Sequence, residues 1–575
     1  MAEQQDQDSI SYAIDIGTTY SSIAYFKGKN NEPTIIQDEQ NKDQVASWVS
    51  LSQLGTNGNT IVGNSAKDDI HSECVIYDSK RIIGRDESDV SYEDRANWPF
   101  KVKRRDNGNA YIECYNPQTQ STEEFEPEEI SGMILKHLYN NAQMKVRINQ
   151  ISNVVVTVPV NFSDKQRDAT LLACQLAGIK NVILENEPTA AIVEYKREYP
   201  NSLKEGDRVV VIDFGGGTLD VACCKIISDN SVNVESNGGD QDLGGNDFDK
   251  VMIDIIKKKV EEDIPGYYKK KRGMTQKEKI TYKKKLVRLK KEAERVKVEL
   301  SDRINNELAK KEVKTTKDIM PEVELELDSL LGKEHSEDNI GTIITRQEFE
   351  KECEARGLYE RFINKIKQIT QKKGYKKGNV QLVLLIGGTS KMPRIREEVS
   401  NLFGQVIFSN NNFNPLTAVV KGAAYLAHLK QENAIGHEVV YDIVPIPIGI
   451  EVEGGKFEVL VKDGETLPTK GTTRQYCTTR DNQTNADFII YRGFGKYVSS
   501  LGVERVTKLS INGIPSGKRG EQKFEFTIHI NKNGMMEISA SLIGGNIKEK
   551  LSTSLDLSKT SQEIERLIEH FQKFF

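Results

Sequence analysis

The apolar positions along this chain fall into three regimes. From about residue 10 to 200, short β-branched runs alternate with segments of helical spacing. Val154-Val155-Val156-Thr157-Val158-Pro159 reads as a buried strand closed by a proline, because proline has no N–H to continue a ladder. Lys165 to Ala177 has helical spacing and stops at Gly178, a residue suited to a left-handed C-cap. Thr189 to Tyr195 continues as helix, and the alternation restarts at Arg208. Residues 247–300 read as strongly helical and rich in Lys and Glu. Ile280, Leu286, Leu289, Ala293, Val296 and Leu300 form one apolar stripe along them. Val380 to Ile386 predicts a buried strand, Pro393-Arg394-Ile395 a helix start, and Thr417 to Leu429 a helix. Beyond about residue 436 the period drops to two, as in Phe524-Glu525-Phe526-Thr527-Ile528-His529-Ile530, with turns at Gly454-Gly455, Asp481-Asn482, Asn533-Gly534 and Gly544-Gly545. That texture predicts a β-sandwich. A capping box at Thr560 and Glu563 then opens a helix with Ile564, Leu567, Ile568 and Phe571 on one face. The expectation is an α/β domain, a β-sandwich and one short C-terminal helix, with a polar, disordered stretch at residues 1–9.

Composition narrows the function classes. The 575 residues are 37% hydrophobic and 29% charged, with a net charge of −5. Such a balance supports several domains and gives no electrostatic footprint for nucleic acid or an anionic membrane. The basic run Tyr267-Tyr268-Lys269-Lys270-Lys271-Arg272 has acidic neighbours and reads as a solvated helix face. No apolar stretch approaches the length of a membrane span. Seven cysteines without a CxxC argue against a disulfide framework, and seven scattered histidines argue against a structural zinc. The polar N-terminus, unlike a signal or transit peptide, and the lack of an ER-retention signal point to the cytosol.

One turn motif occurs twice. Tyr12-Ala13-Ile14-Asp15-Ile16-Gly17-Thr18-Thr19-Tyr20 returns as Val209 to Asp220, with Asp213, Gly215, Gly216, Gly217 and Thr218 at its turn. Each is a strand, an Asp, a glycine turn, a Thr and a second strand. The tip of such a hairpin presents N–H groups and hydroxyls beside a carboxylate, suited to phosphates and a hydrated Mg²⁺. Two facing copies would clamp one nucleotide. Gly513 to Arg519 resembles a Walker loop only superficially, lacking a spacer and the Ser/Thr after Lys518.

These hairpins combine with Lys80-Arg81-Ile82-Ile83-Gly84-Arg85, Glu187-Pro188-Thr189-Ala190-Ala191, Leu243-Gly244-Gly245-Asn246-Asp247-Phe248-Asp249, Gly387-Gly388-Thr389, Pro468-Thr469-Lys470, Asp481-Asn482-Gln483 and Gly513-Ile514-Pro515. In that order the set resembles the heat shock protein 70 chaperone family, within the actin and sugar-kinase fold group. The resemblance implies an actin-like two-lobed ATPase domain at 10–436, a linker at 437–442, a peptide-binding β-sandwich at 443–556 and a short lid remnant at 557–575. It implies ATP/ADP and Mg²⁺ as cofactors, with the metal held through water by Asp15 and Asp213. Lys80, Glu187, Asp15, Asp213 and Thr218 become the catalytic set, with Asp220 near the same centre. Gly17, Thr18, Thr19, Tyr20, Gly215, Gly216, Gly217 and Thr218 would contact phosphates. Glu294, Lys297, Ser301, Gly387, Gly388 and Thr389 would hold the nucleoside. Pro159 and Arg167 match interdomain positions. Ile450, Glu453, Tyr476, Thr479, Ala486 and Phe488 match the peptide groove. The implied partners are unfolded or extended client polypeptides, a J-domain co-chaperone and a nucleotide exchange factor, in protein folding and the stress response.

The sequence departs from the family pattern at several points. Val298 stands where the family usually stacks an Arg on adenine, and Lys391 where it has another Arg. The linker, Glu438-Val439-Val440-Tyr441-Asp442, keeps apolar character at three positions. Ala486 replaces the usual Val at the pocket centre, and Glu453 puts a charge at the arch over the peptide. Residues about 302–321 read as an insertion in the second lobe. These departures together leave a second reading, a nucleotide-holding co-chaperone or fixed subunit of a larger assembly. A sugar kinase of the same fold group would leave the β-sandwich unexplained.

Overall fold

A computed structural model describes residues 10–27, 32–51, 60–69, 74–116, 121–146, 154–228, 231–310, 316–332, 342–371, 373–404, 413–431, 439–545, 547–552, 559 and 561–574. Residues 1–9, linker positions 437 and 438, part of the 302–321 segment, the first lid positions and the Thr560 cap lie outside them.

The first lobe is built on strands β1 (Ile10–Asp15), β2 (Tyr20–Lys27), β3 (Val154–Val158) and β4 (Val182–Asn186). Their order is β4-β3-β1-β2, with β1 antiparallel to β2 and parallel to β3. Every residue of β3 is buried, as expected of a parallel strand covered on both faces. Helices α1 (Pro127–Val146), α2 (Asp164–Leu176) and α3 (Glu187–Glu198) cover it. A capping box between Ser163 and Gln166 fixes the start of α2.

The second lobe repeats the plan. Strands β5 (Arg208–Phe214), β6 (Leu219–Ser228), β7 (Ser231–Asp240) and β8 (Leu382–Ile386) are ordered β8-β5-β6-β7. Helices α4 (Gly245–Asp263) and α5 (Gln276–Ala309) follow, and α5 carries the expected apolar stripe, buried from Leu286 to Leu300 with Ile280 half-buried. The helical reading of 247–300 is interrupted, because the chain breaks between Ile264 and Thr275, where Thr275 and Glu278 form a fresh capping box. Helix α6 (Ala418–Gln431) packs between the lobes. There Gly422 is required, since a Cβ would lie 1.8 Å from the Ala190 carbonyl oxygen.

The linker forms strand β9 (Val439–Tyr441), which adds in parallel to β7 with Ser231 opposite Val439. The β-sandwich follows. Strands β10 (Ile448–Val452), β11 (Lys456–Val461), β12 (Thr472–Cys477), β13 (Asn485–Gly493), β14 (Val503–Asn512), β15 (Lys523–Ile530), β16 (Met536–Leu542) and β17 (Lys548–Ser552) make two four-stranded sheets, β11-β10-β13-β14 and β12-β15-β16-β17. The alternation foreseen in β15 is its burial pattern, with Phe524, Phe526, Ile528 and Ile530 inside.

Helix α7 (Ser561–Gln572) sits on the first lobe. Phe571 is buried in that lobe's core, its ring against Gly132 of α1. His570 bonds Glu129 at 2.6 Å, Lys559 pairs with Glu126 at 2.9 Å, and Thr60 donates to the Phe574 carbonyl at 2.9 Å. One cysteine expectation is corrected. Cys74 and Cys114 form a disulfide, because tertiary juxtaposition, rather than count or spacing, decides pairing. Cys174, Cys223, Cys224 and Cys353 are free and buried, and Cys477 is free and exposed. Among the described residues no helix is long and apolar enough to cross a membrane.

Candidate functional site

Both glycine hairpins lie at the ends of their lobes' central strands, and their tips touch. A Cβ on Gly216 would fall 2.0 Å from the Thr19 hydroxyl, and one on Gly217 would fall 2.2 Å from the Thr18 hydroxyl. Glycine at these two positions is therefore what lets the lobes close on each other. Behind the tips lies a cleft of about 350 Å³, lined by Asp15, Thr18, Thr19, Lys80, Glu187, Asp213 and Thr218 among others.

Four carboxylates converge there. Asp15 ends β1 and accepts a hydrogen bond from Thr157 Oγ1 at 2.8 Å. Asp213 and Asp220 are directly opposite each other on β5 and β6. Glu187 opens α3 and meets Lys80 Nζ at 2.6 Å, both side chains 7% exposed. Burial raises the pKa of all four acids. Asp220 is pushed up to about 7 by burial and by the nearby Glu187. Burial works against the Lys80 ammonium, but Glu187 and Asp15 hold it above its ordinary value. Among the described residues Lys80 acts on all four acids, joined at Glu187 by the buried Arg167, and Asp220 Oδ2 has no hydrogen-bond partner. Such a charge balance suits a divalent ion. Among the described residues no three His, Cys, Asp or Glu side chains are close enough to hold a metal directly. Asp15 and Asp213 instead fit an ion that keeps its own waters, as Mg²⁺ does.

The other end of the cleft is formed by α5 and the turn after β8. Glu294, Lys297, Val298, Ser301 and Asp302 line it from the helix, and Gly387, Gly388, Thr389, Lys391 and Met392 from the turn. Gly387 has φ +82°, and a Cβ there would meet the Phe214 carbonyl oxygen at 2.5 Å. Thr389 Oγ1 donates to the Gly215 carbonyl at 2.8 Å. Lys297 is bound to Asp249 at 2.6 Å and to the Gly245 carbonyl at 3.0 Å. The Ser301 hydroxyl donates back to the Lys297 carbonyl at 3.0 Å. Val298 is 47% exposed.

Sequence reasoning missed the group that joins the two lobes across the cleft mouth. Lys67 Nζ reaches Glu294 at 2.8 Å and the Tyr20 hydroxyl at 2.6 Å, and Tyr20 donates to Glu294 at 2.9 Å. Burial opposes the Glu294 charge, yet Lys67 and Lys290 hold its pKa down near 2. Nothing local marks Lys67, whose partner is 227 residues away. Arg81, in a recognised motif, also crosses between the lobes, to Asp247 at 2.7 Å and to the Gly217 carbonyl at 3.1 Å.

Arg167 reaches the β-sandwich. Its guanidinium donates to the Asn533 carbonyl at 3.2 Å and to Asn186 Oδ1 at 2.8 Å. Pro159 closes β3, and its carbonyl accepts from Phe162 N–H at 3.1 Å. The neighbouring anchor is Asp442, directly after β9. It accepts from Thr189 Oγ1 at 3.0 Å, Asn237 Nδ2 at 3.3 Å, its neighbour Ile443 N–H at 2.8 Å and Asn186 Nδ2. The sequence signal was present: a lone acid after an apolar run at a domain boundary.

The groove residues divide. Ile450 and Phe488 are buried in the sandwich core, with Tyr476 and Ala486 half-buried against it. Tyr476 and Phe488 stand edge to face at 5.9 Å, and the Tyr476 hydroxyl donates to Glu458 at 3.1 Å. Glu453 is exposed and pairs with Arg519 of a neighbouring loop at 3.0 Å, whereas Thr479 bonds Gln483 in its own turn.

Comparison with known proteins agrees with this arrangement. The family model described as Hsp70 protein matches residues 12–575. The chain is 30% identical to the "Heat shock cognate HSP70 protein" of Trypanosoma brucei brucei, over 98% of this chain and 77% of that protein. It is 30% identical to the "Heat shock 70 kDa protein" of Emericella nidulans, over 98% and 80%. The "Stromal 70 kDa heat shock-related protein, chloroplastic" of Pisum sativum is also 30% identical, over 98% and 72%. These matches favour a chaperone over a fixed subunit or a sugar kinase.

Proposed function

This chain belongs to the Hsp70 family of chaperones, and from that premise we propose that its interlobe cleft hydrolyses ATP and drives the binding and release of extended polypeptide. The observation that carries the reading is the pair of touching glycine tips over Asp15, Glu187, Asp213 and Asp220 with Lys80 among them. Backbone amides and hydroxyls of Gly17 to Tyr20 and Gly215 to Thr218 cradle the phosphates. Mg²⁺, when bound, would neutralise charge that develops on the phosphates during transfer. Asp15 and Asp213 would hold such an ion through its waters and would orient the attacking water. Lys80 sits beside the γ-phosphoryl group and stabilises its charge. Glu187 fixes Lys80 and, through α3, stands two residues from Thr189, which bonds Asp442. That short path supports a link between the state of the phosphates and the docking of β9.

The ATPase domain is residues 10–436 and the peptide-binding sandwich 443–556. Tyr476 and Ala486, half-buried over the core residue Phe488, form the apolar floor of the groove, and an extended peptide adds there through backbone hydrogen bonds. A J-domain protein and an exchange factor are the expected partners. Single-turnover hydrolysis tests the assignment: Lys80→Ala is expected to lower the chemical rate by at least about a hundredfold with nucleotide affinity retained. An unchanged rate would sink it.

A further inference from the structure

We propose that the second lobe positions the catalytic lysine: Asn246 and Asp247 of α4 hold the turn that carries Lys80 from both sides, so that Lys80 is set in place only when the lobes are closed. The inference rests on the reading of Lys80 as the group beside the γ-phosphoryl. Lys80 lies in one 3-10 turn of the first lobe, Ser79–Arg81. Before it, Asp78 has φ +60°, a left-handed backbone that a non-glycine residue keeps only where its surroundings enforce it. The Asp78 carboxylate accepts from Trp98 Nε1 at 3.0 Å and, across the cleft, from Asn246 Nδ2 at 2.8 Å. After Lys80, the Arg81 guanidinium crosses to Asp247 Oδ2 at 2.7 Å while it keeps Asp94 at 3.0 Å. Asp78, Arg81, Asn246 and Asp247 are all buried.

The same start of α4 is tied to the glycine tip of its own lobe. The Gly245 N–H donates to the Gly215 carbonyl at 3.0 Å and the Asn246 N–H to the Gly216 carbonyl at 2.7 Å. Arg81 adds the Gly217 carbonyl at 3.1 Å. Burial opposes the Asp247 charge, yet Arg81 and Lys250 hold its pKa down at about 2, so the contact with Arg81 is an ion pair. A shift of the tip therefore moves the first turn of α4, and with it both ends of the turn that bears Lys80. Within the first lobe Glu187 meets the Lys80 ammonium at 2.6 Å, which fixes the end of the side chain but not the backbone it extends from. Placement matters at this scale, because a misplacement of about 1 Å can cost about a hundredfold in rate.

The test is single-turnover ATP hydrolysis with Mg²⁺ by the full chain, measured beside the ATP dissociation constant. N246A and D247N are each expected to slow the chemical step by about tenfold or more while the dissociation constant moves by less than about threefold. R81K keeps the charge but loses the fork that reaches two partners. It approaches the same contact from the first lobe and is expected to lose a similar factor. In R81K/D247N the two losses should not multiply, because both remove one contact. Where D247N does not fold, N246A and R81K decide. Wild-type rates in the variants, a loss of affinity that matches the loss of rate, or losses that multiply in the double variant overturn the inference. K80A in the same assay separates it from the reading it rests on. A slowed K80A beside unchanged N246A and D247N sinks the inference alone, and K80A at the wild-type rate sinks both.

Discussion

Asp213 and Asp220 share one cross-strand pair, a placement that repels when both acids are charged. The sheet tolerates it because burial raises both pKa values, Asp220 to about 7. An acid whose folded pKa is raised keeps its proton in the native state while the unfolded chain has lost it. In metal-free protein it therefore stabilises the fold below about pH 4, and that stability drains away as pH rises toward 7. Asp220→Asn removes the penalty and keeps an acceptor for the Val160 N–H, now 2.8 Å from Asp220 Oδ1. At pH 8, in chelator, the variant is expected to be about 1–3 kcal/mol more stable than wild type, with the gain shrinking toward pH 4. Denaturant melts at the two pH values read it; equal gains at both would contradict the account.

Helix α7 shows how an amphipathic pattern fixes an element but leaves its address open. The stripe of Ile564, Leu567, Ile568 and Phe571 needs an apolar partner, and the first lobe supplies it beside Gly132. Phe571 is 1% exposed, so its loss to Ala would cost about 3–5 kcal/mol if the helix stayed in place. A short helix held by one face undocks before it accepts that cost. Hydrogen exchange is expected to speed up across the α7 amides in Phe571→Ala, with the β1–β4 sheet still protected. Retained protection in α7 would show that the Lys559 and His570 pairs suffice to hold it.

At the scale of the whole molecule, the β-sandwich is joined to the two lobes by main chain and by a buried polar cluster. Strand β9 extends the second lobe's sheet, and Asp442 gathers donors from α3, β4 and β7. Arg167 spans from α2 to the Asn533 turn. Removing one member of such a cluster leaves the others buried and unpaired, which costs more than the lost bond itself. Asp442→Ala is therefore expected to free the sandwich from the lobes, raising the radius of gyration in solution scattering and exposing the 437–442 segment to protease. A compact, resistant variant would place the docking energy elsewhere.

Periodicity along the chain was enough for the strands β3, β5 and β8, the helices α2, α3 and α6, and the alternation of the sandwich, because each depends on residues within a few positions of one another. The doubled Asp–Gly–Thr hairpin was legible for the same reason, and it led to the carboxylates of the cleft. Three features were decided only by the tertiary structure: the meeting of Gly216 with Thr19, the Lys67–Glu294 link and the seat of α7 on the first lobe. In each, the partners are far apart in sequence, and an apolar stripe or a single charge states a need for a partner without naming it. Folding chose the partner by geometry, and the same geometry turned two separate hairpins into one clamp.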